Sequence, residues 1–206
     1  MSETKGMIIF MKKVTSLFLM LVVLIGLSST SLAANTSVYD QQEEILMAIN
    51  EEYSLELGYV ESELTVDEYE ELVRKHAIQQ RELLDYIAMR KKENTEMEPS
   101  DMRDVTLSTI SKTRTRSVWN YGHLLNITAT FNVTGNQVSS LRNASLRRTP
   151  LAVATLFNVL YVSSPTYSYI DSGRTGTVRY TGTASYENGE LQIPNSVFYT
   201  EFPYDS

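Results

Sequence analysis

Two histidines, His76 and His123, are all the imidazole this chain carries, and it has no cysteine. A multi-histidine metal centre, a thiolate zinc site, an iron–sulfur cluster and a thiol nucleophile therefore cannot be assembled within one chain, and no cofactor or resident metal is expected. A histidine-dependent triad must recruit one of the two, and His123 with Asp171 and a nearby serine is the available combination. Against it, His123 falls on the apolar parity of its strand and no serine sits in a nucleophile motif. The nucleophile elbow, phosphate loop, dinucleotide fingerprint, His-Glu-x-x-His helix and calcium loop are all absent. Carboxylates are plentiful, with 24 beyond residue 33, but no pair is singled out by spacing for a two-carboxylate hydrolase. No catalytic residue is assigned.

The cations are better patterned. Lys112, Arg114 and Arg116 alternate with Ser111, Thr113, Thr115 and Ser117, so an extended segment lines three charges along one side at intervals of about 6.6–6.8 Å. Arg142, Arg147 and Arg148 add to them. The row reads either as a solvated edge strand protected against pairing or as a track for a repeating polyanion. Eight tyrosines in residues 105–206 offer rings to sugars or simply serve a sheet.

These groups have an expected address. Lys12 and Lys13 precede the apolar run Leu17 to Leu27, and Ser31-Leu32-Ala33 offers small residues for cleavage ahead of Ala34, the order of a secretory signal peptide. Eleven apolar residues fall short of the roughly 20 a spanning helix needs, so membrane attachment is expected only through the uncleaved segment. Met1, Met7 and Met11 are alternative starts. Absence of cysteine suits a Gram-positive exporter, and the Asn-x-Ser/Thr triplets at Asn126, Asn132 and Asn143 then read as strand composition.

Beyond residue 33 the charge divides, with 7 basic and 19 acidic residues in 34–104 against 8 and 5 in 105–206. In the acidic part Val38, Gln42, Ile45, Ile49 and Tyr53 share one helical stripe, and Leu55, Leu57 and Tyr59 alternate as a brief strand. Thr65 and Glu68 form a capping box for a second helix whose stripe runs Val66, Tyr69, Leu72, Val73, Leu83, Leu84 and Ile87, ending near Glu93 after Arg90-Lys91-Lys92. His76 and Gln80 lie in the middle of that stripe. They read as a mutually hydrogen-bonded i, i+4 pair, or more sharply as a ligand contact or pH-sensitive seam. Glu93 to Asp104, with Pro99, connects to the second half.

That half reads as a sheet. From Trp119 to Val133 the odd positions are mostly apolar and the even ones mostly Asn, Gly or Thr, a strand with one wet face and a bend at Gly122. Gly135-Asn136 turns the chain and sets Val133 opposite Val138; continuing that register points Arg142 inward, so the pairing slips or the strand stops. Asn188-Gly189 predicts a two-residue hairpin turn with Tyr186 against Leu191 and Ala184 against Ile193. Residues 151–162 read as a buried strand, although Thr149-Pro150 also suits a helix start.

Tyr167-Ser-Tyr-Ile-Asp-Ser-Gly-Arg-Thr resembles a Tyr-x-Tyr-x-Asp-x-Gly-Arg-Thr segment, followed by an alternating strand, of small uncharacterised exported proteins of Gram-positive bacteria. The resemblance covers the signal segment and roughly the last hundred residues and implies export and β structure. Within it Asp171, Gly173 and Arg174 are turn chemistry, with Arg174 able to pair with Asp171.

The expected protein is α+β: N-terminal amphipathic helices with a short strand, then an antiparallel β-sandwich or barrel of about six or seven strands. Its parts are a signal peptide (1–33), an acidic helical region (34–98) and an antiparallel β domain (99–206). The expected function is a secreted, extracellular or wall-associated, non-catalytic binding module at the cell envelope, for an anionic cell-wall glycopolymer or a protein partner. A secreted hydrolase and an inhibitor or immunity-type protein docking through the acidic helices are the alternatives. A net charge of −9 over residues 34–206 and export both argue against nucleic acid.

Overall fold

The computed structural model describes residues 37–95, 108–154 and 156–206; the expected signal segment and the connection around Pro99 lie outside the described residues. Among the described residues two helices, α1 (Val38–Tyr53) and α2 (Val66–Thr95), precede seven strands: β1 (Thr109–Val118), β2 (Gly122–Thr134), β3 (Gln137–Arg148), β4 (Asn158–Leu160), β5 (Thr166–Ile170), β6 (Thr175–Tyr186) and β7 (Leu191–Pro203). A short helix, α3 (Pro150–Ala154), lies between β3 and β4. The chain is thus α+β with antiparallel pairing throughout. Residues 41–206 form one compact unit.

The expected capping box opens α2: the Thr65 amide donates to Glu68 Oε2 at 3.1 Å and the Glu68 amide to Thr65 Oγ1 at 3.4 Å. Helix α1 begins with a similar reciprocal pair, Ser37 and Asp40. Its buried face is Gln42, Leu46 and Ile49, while Val38 is largely exposed. The expected strand at Leu55 to Tyr59 does not form. Leu57 is buried, but its amide and carbonyl are both taken by the Asn50 side chain (3.0 and 2.8 Å), and the Gly58 amide reaches the Pro194 carbonyl at 3.0 Å. An Asn amide occupies the groups that a neighbouring strand would need.

The first sheet runs β1-β2-β3 and buries Leu125, Ile127, Ala129, Phe131 and Val133 along one side of β2, the alternation expected there. That run starts later than expected. Trp119, Asn120 and Tyr121 form the turn between β1 and β2, with Asn120 (φ 62°) and Gly122 (φ 49°) left-handed. Val133 does face Val138, and the conflict at Arg142 is settled by slippage. Ser139 is an extra residue between the Val138–Val133 and Ser140–Asn132 pairs, so Arg142 pairs with Thr130 and turns outward; Asn143 (φ 52°) and Ala144 then make a second bulge opposite Ala129.

In the second sheet β6 is central, with β7 on one side and β5 and β4 on the other. The strands divide into two hydrogen-bonded sheets and no barrel closes among the described residues. Phe131 and Ile127 of the first sheet share one apolar cluster with Val178, Phe198 and Phe202 of the second. Residues 151–162 are not one strand. Pro150 starts α3, its missing amide being one a helix start leaves free, and Leu156 (φ 55°) separates it from the three-residue β4. Strand β7 instead runs through Pro194: Pro194 and Asn195 (φ 62°) bulge opposite Thr183, where a proline costs no ladder bond.

Tyr186 faces Leu191 and Ala184 faces Ile193, as expected. Asn188 and Gly189 are left-handed (φ 57° and 105°), and the Glu190 amide donates to the Glu187 carbonyl at 3.2 Å. Glu187 is also left-handed (φ 47°), so four residues rather than two bridge the strands. Open space surrounds Gly189, leaving backbone strain as the only obstacle to a side chain. Gly189→Val is expected to lower stability by about 1–2 kcal/mol, and an unchanged denaturation midpoint would reject this turn.

Candidate functional site

The six predicted cations all lie on the first sheet, whose three strands contain no Asp or Glu. They do not form one cluster. Lys112, Arg114 and Arg116 stand opposite Phe131, Ala129 and Ile127, and opposed residues share a side of the sheet, so these three occupy the core side of β1 at its edge. Thr109, Thr113 and Thr115 occupy the other side, each hydroxyl bonded across to Thr134, Thr130 or Thr128 (2.9, 3.0 and 2.7 Å). Arg142 and Arg147 belong to that second side, opposite Thr130 and Asn126. Arg148 lies apart, in a pocket of about 390 Å³ that Asn188 and Gly189 also line. Lys112 donates to the Tyr204 backbone oxygen at 2.7 Å, Arg114 to its neighbour Thr113, and Arg142 to Asn132. Among the described residues none of the six makes an ion pair.

Arg116 opens onto a cleft of about 430 Å³ lined by Tyr86, Ser117, Trp119, Tyr199, Thr200 and Glu201. The end of β1 is fixed there by two bonds to β7, Trp119 N–H to the Tyr199 carbonyl at 2.9 Å and Thr200 Oγ1 to the Ser117 carbonyl at 3.0 Å. Tyr86 of α2 stacks on Trp119, with centroids 5.4 Å apart and planes 18° from parallel, and meets Tyr199 edge-on. Glu201 Oε1 accepts from the hydroxyls of Tyr86 (3.1 Å) and Tyr199 (3.0 Å) and from Arg90 Nε (3.3 Å). Burial first, and the Glu201 charge second, push both tyrosine hydroxyls up, keeping them protonated donors.

Arg90 binds this arrangement to the turn between β5 and β6. Its Nη2 reaches Asp171 Oδ2 at 2.8 Å, and Thr175 donates to the same oxygen at 2.8 Å. The expected pairing of Arg174 with Asp171 is therefore absent: the Arg174 guanidinium lies 5.4 Å from the Tyr204 ring centre, and only its amide bonds the Asp171 carbonyl. Asp171, Ser172 and Gly173 are all left-handed (φ 54°, 55° and 83°) in the turn between β5 and β6. With Asp171 engaged by Arg90 and Thr175, the triad arrangement with His123 has no support; His123 is exposed.

His76 and Gln80 are buried, but they do not bond each other. His76 Nδ1 lies 2.7 Å from the Tyr186 hydroxyl and Nε2 lies 2.9 Å from Ser196 Oγ. Ser196 donates its proton to the Ile193 carbonyl at 2.7 Å, so it accepts from His76 Nε2–H, and Nδ1 accepts from Tyr186. Gln80 donates to the Tyr121 hydroxyl at 3.2 Å, and the rings of Tyr121 and Tyr186 both pack on Phe157. The result is a directed chain from Tyr186 through His76 and Ser196 to a backbone carbonyl. Gln80 also bonds both polar groups of Val197, accepting from its amide at 2.7 Å and donating to its carbonyl at 3.3 Å, and so completes the outer edge of β7 as another strand would. Burial lowers the His76 pKa to about 3. Both ring nitrogens are occupied, which closes this imidazole to metals and ligands.

Sequence reasoning missed the cleft. Trp119 read as a strand residue, Arg90 as one of three charges ending a helix, and neither Tyr86 nor Glu201 stood out; their only signal is the chain's sole tryptophan beside the last alternating cation.

No protein-family model matches the chain, and no curated protein matches it. Among solved structures it is similar to the hypothetical protein lmo2686 from Listeria monocytogenes EGD-e, at 17% identity over 52% of this chain and 85% of that one, with a TM-score of 0.21. At that score the likeness bears on neither fold nor function. No grouping of acidic or histidine side chains suited to a metal occurs among the described residues, and no described helix is long and apolar enough to cross a membrane.

Proposed function

We propose that this is an exported, non-catalytic module of the cell envelope that binds an anionic wall glycopolymer through the first sheet. The observation that carries the reading is a carboxylate-free sheet with Arg114 and Arg116 exposed along one strand side and without ion pairs among the described residues. In a chain of net charge −7 such a segregated positive face focuses attraction for polyanions. The two sheets share a core as the layers of a sandwich do, which makes that face a rigid platform. Export rests on the signal-like sequence of residues 1–33 and on the resemblance of the Tyr167 to Thr175 segment.

Exposed charge contacts contribute about 0.2–1 kcal/mol each, so binding is modest and salt-dependent. The test uses the whole chain, because α2 covers Val197 and Tyr199 of β7. Retention on purified walls should fall by severalfold when Lys112, Arg114 and Arg116 are replaced by serine, and it should fall for the parent protein as salt rises. Equal retention of both proteins, indifferent to salt, would overturn the proposal.

A further inference from the structure

The row of cations on β1 leads into the aromatic cleft, and we propose that this cleft is a subsite for one sugar ring of the bound polymer. The inference rests on the polyanion reading and adds the ligand's chemical class: a saccharide carrying repeated anionic groups, rather than a bare polyphosphate or an acidic peptide. Lys112, Arg114 and Arg116 fall at intervals of about 6.6–6.8 Å along an extended strand, and the last of them lines the cleft together with Trp119 and Tyr86. An extended polymer following that track arrives at the rings. A cleft of about 430 Å³ accommodates a hexose, and half-buried aromatic surface complements the apolar C–H side of a pyranose.

Two details favour a sugar over a bare anion. Glu201 presents a carboxylate in the cleft wall, a hydroxyl acceptor that would repel phosphate or carboxylate arriving alone. Arg90 lies against it through Nε at 3.3 Å and Nη2 at 3.4 Å, offsetting its charge so that a polyanion is still admitted beside Arg116. The Tyr86 and Tyr199 hydroxyls hold Oε1 from the other side, which leaves Oε2 the less occupied oxygen for a sugar hydroxyl. The cleft thus supplies stacking surface, one acceptor and one exposed cation, a set matched to a ring bearing hydroxyls next to an acidic group.

Trp119 is the only tryptophan, so the emission of the native protein reports on this cleft alone. Three probes separate the chemistries: polygalacturonate carries rings and charge, polyphosphate carries charge without rings, and chitotetraose carries rings without charge. Polygalacturonate should change Trp119 emission saturably, and Tyr86→Leu should weaken that response tenfold or more while leaving polyphosphate binding, followed by salt-dependent co-sedimentation, unchanged. Chitotetraose should give the same emission change at much higher concentration, unaffected by Arg114→Ser. No emission change with polygalacturonate, or an equal change with polyphosphate, overturns the subsite. Because wall retention is scored separately, loss of retention in the β1 serine variant with silent Trp119 emission rejects the subsite and keeps the polyanion reading. An emission response to both saccharides with wall retention indifferent to salt and to the serine variant rejects the polyanion reading and, with it, the anionic class assigned here.

Discussion

Acidification from pH 6.5 to pH 4.5 is expected to remove about 2 kcal/mol of stability through His76 alone, the slope approaching about 1.4 kcal/mol per pH unit well below 6.5. The folded imidazole, held neutral by burial, takes up a proton only near pH 3, whereas in the unfolded chain it does so near 6.5. Between those values the unfolded state binds the extra proton, so stability is fully present above about 6.5 and declines as pH falls toward 3. Protonation would also require Nδ1 to donate where it now accepts from Tyr186, so the Tyr186 hydroxyl would have to turn round to accommodate the charge. Denaturant titrations at pH 7, 5.5 and 4.5 provide the check, with His76→Gln as reference. The variant is less stable at pH 7, but its decline on acidification should be shallower than that of the parent by the stated slope. Parallel declines would show that His76 takes up its proton in the native state at the same pH as in the unfolded chain.

Local chemistry explains which elements were legible in the sequence. The Thr65–Glu68 capping box, the turn at Asn188 and Gly189 and the Asp171 turn each depend on residues within a few positions of one another, and each forms where expected. Even the misfit at Arg142 was visible, because an alternation that places an arginine opposite a buried alanine has to break, and the extra residue at Ser139 breaks it before Arg142 is reached. The strand expected at Leu55 failed because the alternation of its side chains says nothing about who receives its backbone bonds. Asn50 receives them.

The candidate site lay beyond such reasoning. Arg90 meets Asp171 and Glu201 across 81 and 111 positions, and His76 meets Tyr186 across 110. Periodicity placed His76 and Gln80 correctly in the middle of a buried stripe, and a buried polar residue needs a partner. Choosing each other as those partners was the nearest solution in sequence, whereas the strand packed against that stripe offered Ser196 and Val197. The cations show the same boundary from the other side: alternation correctly lined up Lys112, Arg114 and Arg116, but only strand pairing reveals that Arg142 and Arg147 face the opposite way.

Removing the Arg90 side chain is the second change expected to have a large effect. Arg90 is 20% exposed, Asp171 27% and Glu201 17%, so Arg90→Ala strands two carboxylates in a poorly solvated corner and is expected to cost about 3 kcal/mol. Its third ion pair, to the mostly exposed Glu93, adds little by comparison. Arg90→Lys should recover only part of the loss, since a single ammonium cannot reproduce the fork that reaches Asp171 through Nη2 and Glu201 through Nε. A double-mutant cycle separates charge from packing. Asp171→Asn removes one stranded charge without straining the backbone, because Asn tolerates the left-handed φ of 54° found there. In that background Arg90→Ala should cost about 1–2 kcal/mol less than in the parent. An equal cost in both backgrounds would exclude the Asp171 charge and leave the loss with Glu201 and the arginine's aliphatic stem. The smaller cost would establish the guanidinium as the bridge that holds the β5–β6 turn and Glu201 against α2, and hence as the group that fixes the wall of the cleft.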